Sequence, residues 1–276
     1  MKIRYTPAPE AVAHMTTEEL REKFLIESLF EPGALCLVYC DVDRAIAGSA
    51  VPVDGPMNLD AAAELQAEYF CQRRELGVLN IGAGGTITVD GTTFPMVHLD
   101  GLYVGRGARE VVFASDDSAV PARFFLVSFP AHATHPTAHI RKDDAAPVAL
   151  GADGGANTRT IYKYIHPGGV KSCQLVMGFT QLAEGSVWNT MPPHTHPRRM
   201  EVYLYFGLPE GERVFHFMGL PSETRHLVVA DGQAVLSPSW SLHAGAGTRA
   251  YAFCWGMGGE NQDFGDMDAI ATEALR

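Results

Sequence analysis

Short apolar runs separated by glycine and proline fill most of the chain, and helical spacing of apolar residues shows in only two stretches. The first predicts a helix over 17–30. Thr16 as N-cap with Glu19 three residues later makes a capping box, and Leu20/Phe24 and Leu25/Leu29 are i, i+4 pairs. The second predicts a helix over 59–76, from Asn58 and Asp60 through Leu65, Tyr69 and Leu76 to Gly77. Elsewhere the runs read as strands: 78–82, 86–90, 94–98, 109–114 and 123–129 in the first half. The second half adds 160–166, 173–183, 201–206, 213–218, 226–230, 233–237 and 249–256. Asp90-Gly91 and Asp231-Gly232 are the strongest tight-turn signals. The tract 140–158 has no sustained period and reads as a linker.

Two β domains of similar size follow, 1–145 with both helices and 146–276, within the usual domain range. Composition narrows the class. Hydrophobic residues at 46% and charged residues at 19% exclude a disordered chain. No apolar run approaches the roughly 18 residues of a membrane helix, and the amino-terminal residues lack a signal-peptide core, so a cytoplasmic protein is expected. Five cysteines, odd in number and without a C-x-x-C, suit reduced thiols. A net charge of −11 argues against nucleic acid and anionic membranes as partners.

One segment carries chemistry: MPPHTHPRRMEVYLYFG, residues 191–207. His194 and His196, two apart on extended chain, project from one face. In EVYLYF the same period puts Glu201, Tyr203 and Tyr205 on one face and Val202, Leu204 and Phe206 on the packing face. Glu201 can therefore meet the two imidazoles. A third is available from His243 in PSWSLH. His132 and His135, three apart, point to opposite faces of an extended chain and read as loop histidines.

These residues resemble the cupin family, whose first motif has H-x-H, three or four residues, then Glu, and whose second has a spaced Gly, Pro and His. Gly232, Pro238 and His243 match the second motif in spacing, while Trp240 stands for its glycine and Gly247 for its asparagine. Gly185 and Gly207 are offset from the glycines of the first motif, yet all four ligand positions are present. The tracts HTHPRRMEVYLYF, RTIYKYIHP, FTQLAEGSVWNTMP, WGMGGEN, DMDAI, TEELREKFLIESLFEPG and FPAH are more specific. They resemble the 4-deoxy-L-threo-5-hexosulose-uronate ketol-isomerase family of bicupin enzymes, and span nearly the whole chain.

The resemblance implies a mainly β bicupin: two cupin-type barrel or jelly-roll domains, helices in the amino-terminal half, and no metal set in the first. It implies one Zn²⁺ per subunit on His194, His196, Glu201 and His243, and a cytoplasmic homohexamer acting on a small uronate. The reaction it implies is aldose–ketose isomerisation of the 5-keto-4-deoxyuronate to 3-deoxy-D-glycero-2,5-hexodiulosonate, a step of pectin and uronate breakdown. A metal polarising the carbonyl and an acid/base group are the devices such chemistry needs. Tyr203, Lys163 and Glu260 are the candidates for proton transfer, and Arg198, Arg199 and Arg159 for contact with the carboxylate. The alternatives are the 5-deoxyglucuronate isomerase of inositol breakdown and a cupin dioxygenase using the same ligands.

Overall fold

The computed structural model describes all 276 residues, which build four antiparallel sheets in two compact units. The first unit comprises residues 1–3, 28–146 and 164–177, and the second residues 4–27, 147–163 and 178–276. The change-over at Ala146/Pro147 lies beside the expected boundary, and two short segments belong to the unit of the opposite half.

In the first unit a seven-stranded sheet runs in the order Lys2–Arg4, Leu35–Cys40, Ile46–Ala50, Phe124–Pro130, Arg74–Asn80, Gly101–Val104, Ala138–Ile140. A four-stranded sheet, Met57–Asn58, Val111–Ser115, Gly85–Val89 and Thr92–Met96, completes it. The interior is apolar: Leu76, Val78, Ile87, Phe113, Phe124 and Leu126 are buried in one cluster. Asp90 and Gly91 have φ of +46° and +81° and join two of these strands with Val89 paired to Thr92, the two-residue hairpin expected.

The helix expected over 59–76 does not form. Short 3-10 turns at Ala63–Leu65 and Phe70–Gln72 lead into the strand Arg74–Asn80, whose seven residues are all buried near the middle of the large sheet. A strand covered on both faces has no polar alternation, so Leu65, Tyr69 and Leu76 mimic a helical stripe by coincidence.

The second unit repeats the plan. Its seven-stranded sheet is Val148–Leu150, Arg159–Ile165, Val176–Leu182, Ala252–Gly259, Arg199–Phe206, Ala234–Ser237, Leu25–Ile26. The facing sheet is Glu223–Val229, Val214–Leu220, His243–Gly247, Trp188–Thr195, Asp268–Ala269. Asp231-Gly232 joins strands of different sheets, so it is a corner and not a hairpin. The tract 140–158 is not a bare linker, since Val148–Leu150 pairs with Arg159–Ile161.

The first helix is shorter than expected, Thr17–Phe24, with the capping box of Thr16 and Glu19 intact. It ends where Leu25 and Ile26 turn extended and pair with Val235 and Ala234, burying both side chains in the sheet. Its Phe24 packs edge-on against Trp240. Arg225 fastens the preceding chain by donating to the carbonyls of Val12, Ala13 and Met15 at 2.7–3.0 Å.

Candidate active site

Three strands of the second unit deliver the candidate ligands. His194 comes from Trp188–Thr195, His196 from the turn after it, Glu201 from Arg199–Phe206 and His243 from the start of His243–Gly247. Asn189 pairs with Gly245 and His194 with His243, so Thr190 to Pro193 form a bulge. Thr190, Met191 and Pro192 of this bulge line a cavity of about 300 Å³.

His194, His196, Glu201 and Tyr203 line the same cavity, and His243 closes on them from behind. His243 Nε2 lies 2.9 Å from His194 Nε2, and Glu201 Oε2 lies 3.2 Å from Nε2 of both His196 and His243. The three candidate imidazole ligand atoms fall within 4.8 Å of one another. His196 Nδ1 is 2.8 Å from the Arg199 carbonyl, which accepts its proton and leaves Nε2 free to face the others.

Burial drives the His194 pKa down to about 4, and burial with the neighbouring imidazoles drives His243 well below the ordinary histidine value. Burial also opposes charge on His196, but the hydrogen bond and negative charge of Glu201 outweigh it and hold its pKa above the ordinary value. Two uncharged nitrogens thus face each other beside a carboxylate oxygen, with His196, His243 and Glu201 buried and His194 partly exposed. That set fits a divalent cation: three imidazoles and one carboxylate suit Zn²⁺, Mn²⁺, Fe²⁺ or Ni²⁺.

Tyr203 sits beside the cluster, its ring 5.5 Å from that of His243 and its hydroxyl hydrogen-bonded to Thr190 and Glu201. Burial, followed by the charge of Glu201, raises its pKa well above the ordinary phenol value, so the hydroxyl keeps its proton. Thr190 holds its partner from φ +51°, a left-handed conformation that is costly for a β-branched residue.

The other expected residues part company. Arg159 and Arg199 line the cavity, whereas Arg198 does not. Arg198 donates to Asp266 at 2.7 and 2.9 Å and to Asp268 at 2.9 Å. Arg199 is fully buried and donates to the carbonyls of Asp263 and Asp266. Lys163 places its ammonium 4.2 Å over the Phe264 ring, at the margin of the cavity. Glu260 is exposed and outside the lining.

Sequence reasoning missed the wall beside Glu201 and Tyr203, where Phe253, Trp255 and Met257 alternate along Ala252–Gly259 and pair across the sheet with Tyr205, Tyr203 and Glu201. The period-2 spacing within AFCWGMGG was the available signal. It also missed the buried pair behind the site, in which the Tyr205 hydroxyl lies 2.7 Å from Nδ1 of the fully buried His216.

Comparison with known proteins agrees in fold and sequence. The model of the KduI/IolB family matches residues 27–273. A 4-deoxy-L-threo-5-hexosulose-uronate ketol-isomerase of Lachnoclostridium phytofermentans is 56% identical over the full length of both chains. One from Escherichia coli is 52% identical over 95% of each. Among solved structures, an IolB-like protein of Salmonella typhimurium superposes with a TM-score of 0.69 at 12% identity, covering 90% of this chain and 96% of that one. The oxalate decarboxylase of Bacillus subtilis, a protein with Mn(II) centres, matches at TM-score 0.56 and 11% identity over 81% of this chain and 71% of its own. Both structural likenesses support the bicupin-type β fold.

Proposed function

The chain belongs to the KduI/IolB family and is a ketol-isomerase, an intramolecular oxidoreductase; from that premise we propose that it converts 4-deoxy-L-threo-5-hexosulose uronate to 3-deoxy-D-glycero-2,5-hexodiulosonate in uronate catabolism, using one divalent metal per subunit. Zn²⁺ is the metal of this reading. The observation that carries it is the convergence of His194, His196, His243 and Glu201 at a cavity whose remaining lining is mostly apolar.

A metal held by His194, His196, Glu201 and His243 would supply a Lewis acid that polarises the sugar's carbonyl and makes the neighbouring C2 proton acidic enough to move. Across the reaction a hydrogen passes from C2 to C1 and a proton from the C2 oxygen to the C1 oxygen; Tyr203 serves the second transfer, giving its proton to the C1 oxygen and taking back the one released at the C2 oxygen. Its hydroxyl is kept protonated by burial and is oriented by Thr190 and Glu201. Phe253, Trp255 and Met257, on the neighbouring strand of the same sheet, exclude water beside Glu201 and Tyr203, so the proton is exchanged among fixed groups. The 146–276 half acts in this reading as the catalytic cupin domain, and the 1–145 half as a metal-free packing and assembly domain. The reading extends to a cytoplasmic, closed homo-oligomer, a hexamer by the family resemblance.

The relatives at 52–56% identity favour this substrate over 5-deoxyglucuronate, because they are named 4-deoxy-L-threo-5-hexosulose-uronate ketol-isomerases. The test is metal analysis of the purified chain alongside turnover of the unsaturated-galacturonate breakdown product. We expect close to one metal per chain, with metal and turnover both lost in His194→Ala and in His243→Ala. Stoichiometric metal in both variants would overturn the ligand assignment, and an unchanged substrate pool with the metal-loaded chain would overturn the reaction.

A further inference from the structure

Arginines that stand in a protein without a carboxylate partner are normally out in solvent, where water solvates the charge. Arg159 is an exception. It is half-buried in the cavity wall, it makes no salt bridge, and its guanidinium donates to the Asn157 carbonyl at 2.9 Å. Burial alone lowers its pKa from the ordinary arginine value, with no neighbouring acid to offset the cost.

The other cations near the cavity are already engaged. Arg199 commits both terminal nitrogens to the carbonyls of Asp263 and Asp266. Arg198 is held by Asp266 and Asp268, and Lys163 lies against the face of Phe264. Arg159 also has a rigid mount, because it begins the strand Arg159–Ile165 and pairs with Leu150 across it. Ile161, on the same strand face, lines the cavity with it.

We infer that Arg159 binds the C6 carboxylate of the uronate and thereby sets the enzyme's requirement for an acidic sugar, a role that rests on the isomerase reading above. A planar guanidinium with free donors matches a carboxylate through two parallel hydrogen bonds. The cavity then divides its work: the cluster of His194, His196, His243 and Glu201 engages the reacting C1–C2 end, and Arg159 anchors the far end. Such an anchor aligns the chain of the sugar without entering the chemistry, so its loss falls on KM more than on kcat.

The experiment compares wild type, Arg159→Gln, Arg159→Lys and Lys163→Met on the uronate and on its C6 carboxamide, which keeps the C1–C2 end and lacks the charge. Arg159→Gln should lower kcat/KM on the uronate by about 30–100-fold, mainly through KM, and should cost the carboxamide at least 10-fold less. Arg159→Lys should fall between, since the charge survives and the two-point geometry does not. Unfolding temperatures and metal content of the variants check that the barrel is intact. Equal losses on both substrates, or a larger charge-dependent loss in Lys163→Met, would overturn the assignment while the wild-type rate still upheld the isomerase. A wild-type chain inert toward the uronate would instead refute the isomerase reading itself.

Discussion

The two units place closely matching strands in matching positions and fill them with opposite chemistry. In the first, Leu76 to Leu79 of the strand Arg74–Asn80 pair with Val104 to Gly101; in the second, Glu201 to Leu204 of Arg199–Phe206 pair with Ser237 to Ala234. The register sets Leu76 against Glu201 and Val78 against Tyr203. Leu76 and Val78 join the sealed apolar cluster of the first barrel, whereas Glu201 and Tyr203 line the cavity of the second. One fold thus carries a solid core or a cup according to two side chains on a central strand and what faces them. The first unit has its own buried carboxylate, one residue earlier. Glu75 accepts backbone N–H bonds from Cys173, Gln174 and Leu175 at 2.6–2.8 Å and the Tyr103 hydroxyl at 2.8 Å. Its oxygens are satisfied by the chain itself, while those of Glu201 meet imidazoles.

That contrast is sharpest if the two carboxylates are removed in turn. Glu75→Ala strips four hydrogen bonds from a buried site and should cost about 3–5 kcal/mol of unfolding free energy in urea, with metal content per folded chain unchanged. Glu201→Gln, nearly isosteric, should abolish metal retention while changing metal-free stability by less than about 1 kcal/mol. Metal loss in the Glu75 variant, or its retention in the Glu201 variant, would erase the distinction. The next effect in size concerns Tyr203. Tyr203→Phe should keep the metal and lower kcat roughly 100-fold, as expected of a positioned proton donor; an unchanged kcat would make the tyrosine a wall residue like Val78.

The smallest effect lies at the rim. Hydrogen bonds from Arg198 and Asn261 hold the Asp266 carboxyl down to about 2. A depressed carboxyl pKa stabilises the fold above the unfolded value of about 3.9, and that contribution fades as pH falls towards 2. The difference in unfolding temperature between wild type and Asp266→Asn should therefore be positive but small at pH 6, because the pair is partly solvated, and should shrink between pH 4 and 2. A difference independent of pH would show that Asp266 acts through packing alone.

Much of this was legible in the residues. The period-2 spacing of His194 and His196, and of Glu201 and Tyr203, survives because His194, Glu201 and Tyr203 leave extended backbone and His196 follows directly on its strand. The capping box at Thr16 was legible for the same reason, since its signal is local. What failed was non-local. The strands Trp188–Thr195 and His243–Gly247, which carry two of the ligands, were not visible as strands: TMPPHT is interrupted by the bulge, and HAGAG has no large side chains to alternate. The glycines there answer to packing, since a Cβ on Gly245 would lie 2.5 Å from Asn189 Nδ2. Likewise the false helix over 59–76 and the overlong one over 17–30 were decided by strand partners distant in sequence. The partition of the arginines depended on carbonyls and carboxylates at 263–268, which no spacing rule links to residues 198 and 199.

The pairing of Leu25 with Val235 gives the chain a schedule of synthesis. A ribosome adding about 5–20 residues per second reaches position 235 roughly 10–40 s after position 25 has been made. Throughout that interval the apolar Leu20, Phe24, Leu25 and Ile26 have no sheet to join, while residues 28–146 emerge with most of their own partners. The half that holds the candidate ligands is thus the last to mature, and its opening segment waits through most of synthesis for its partner strand. Trimming residues 1–27 as a dispensable leader would remove a strand from that half.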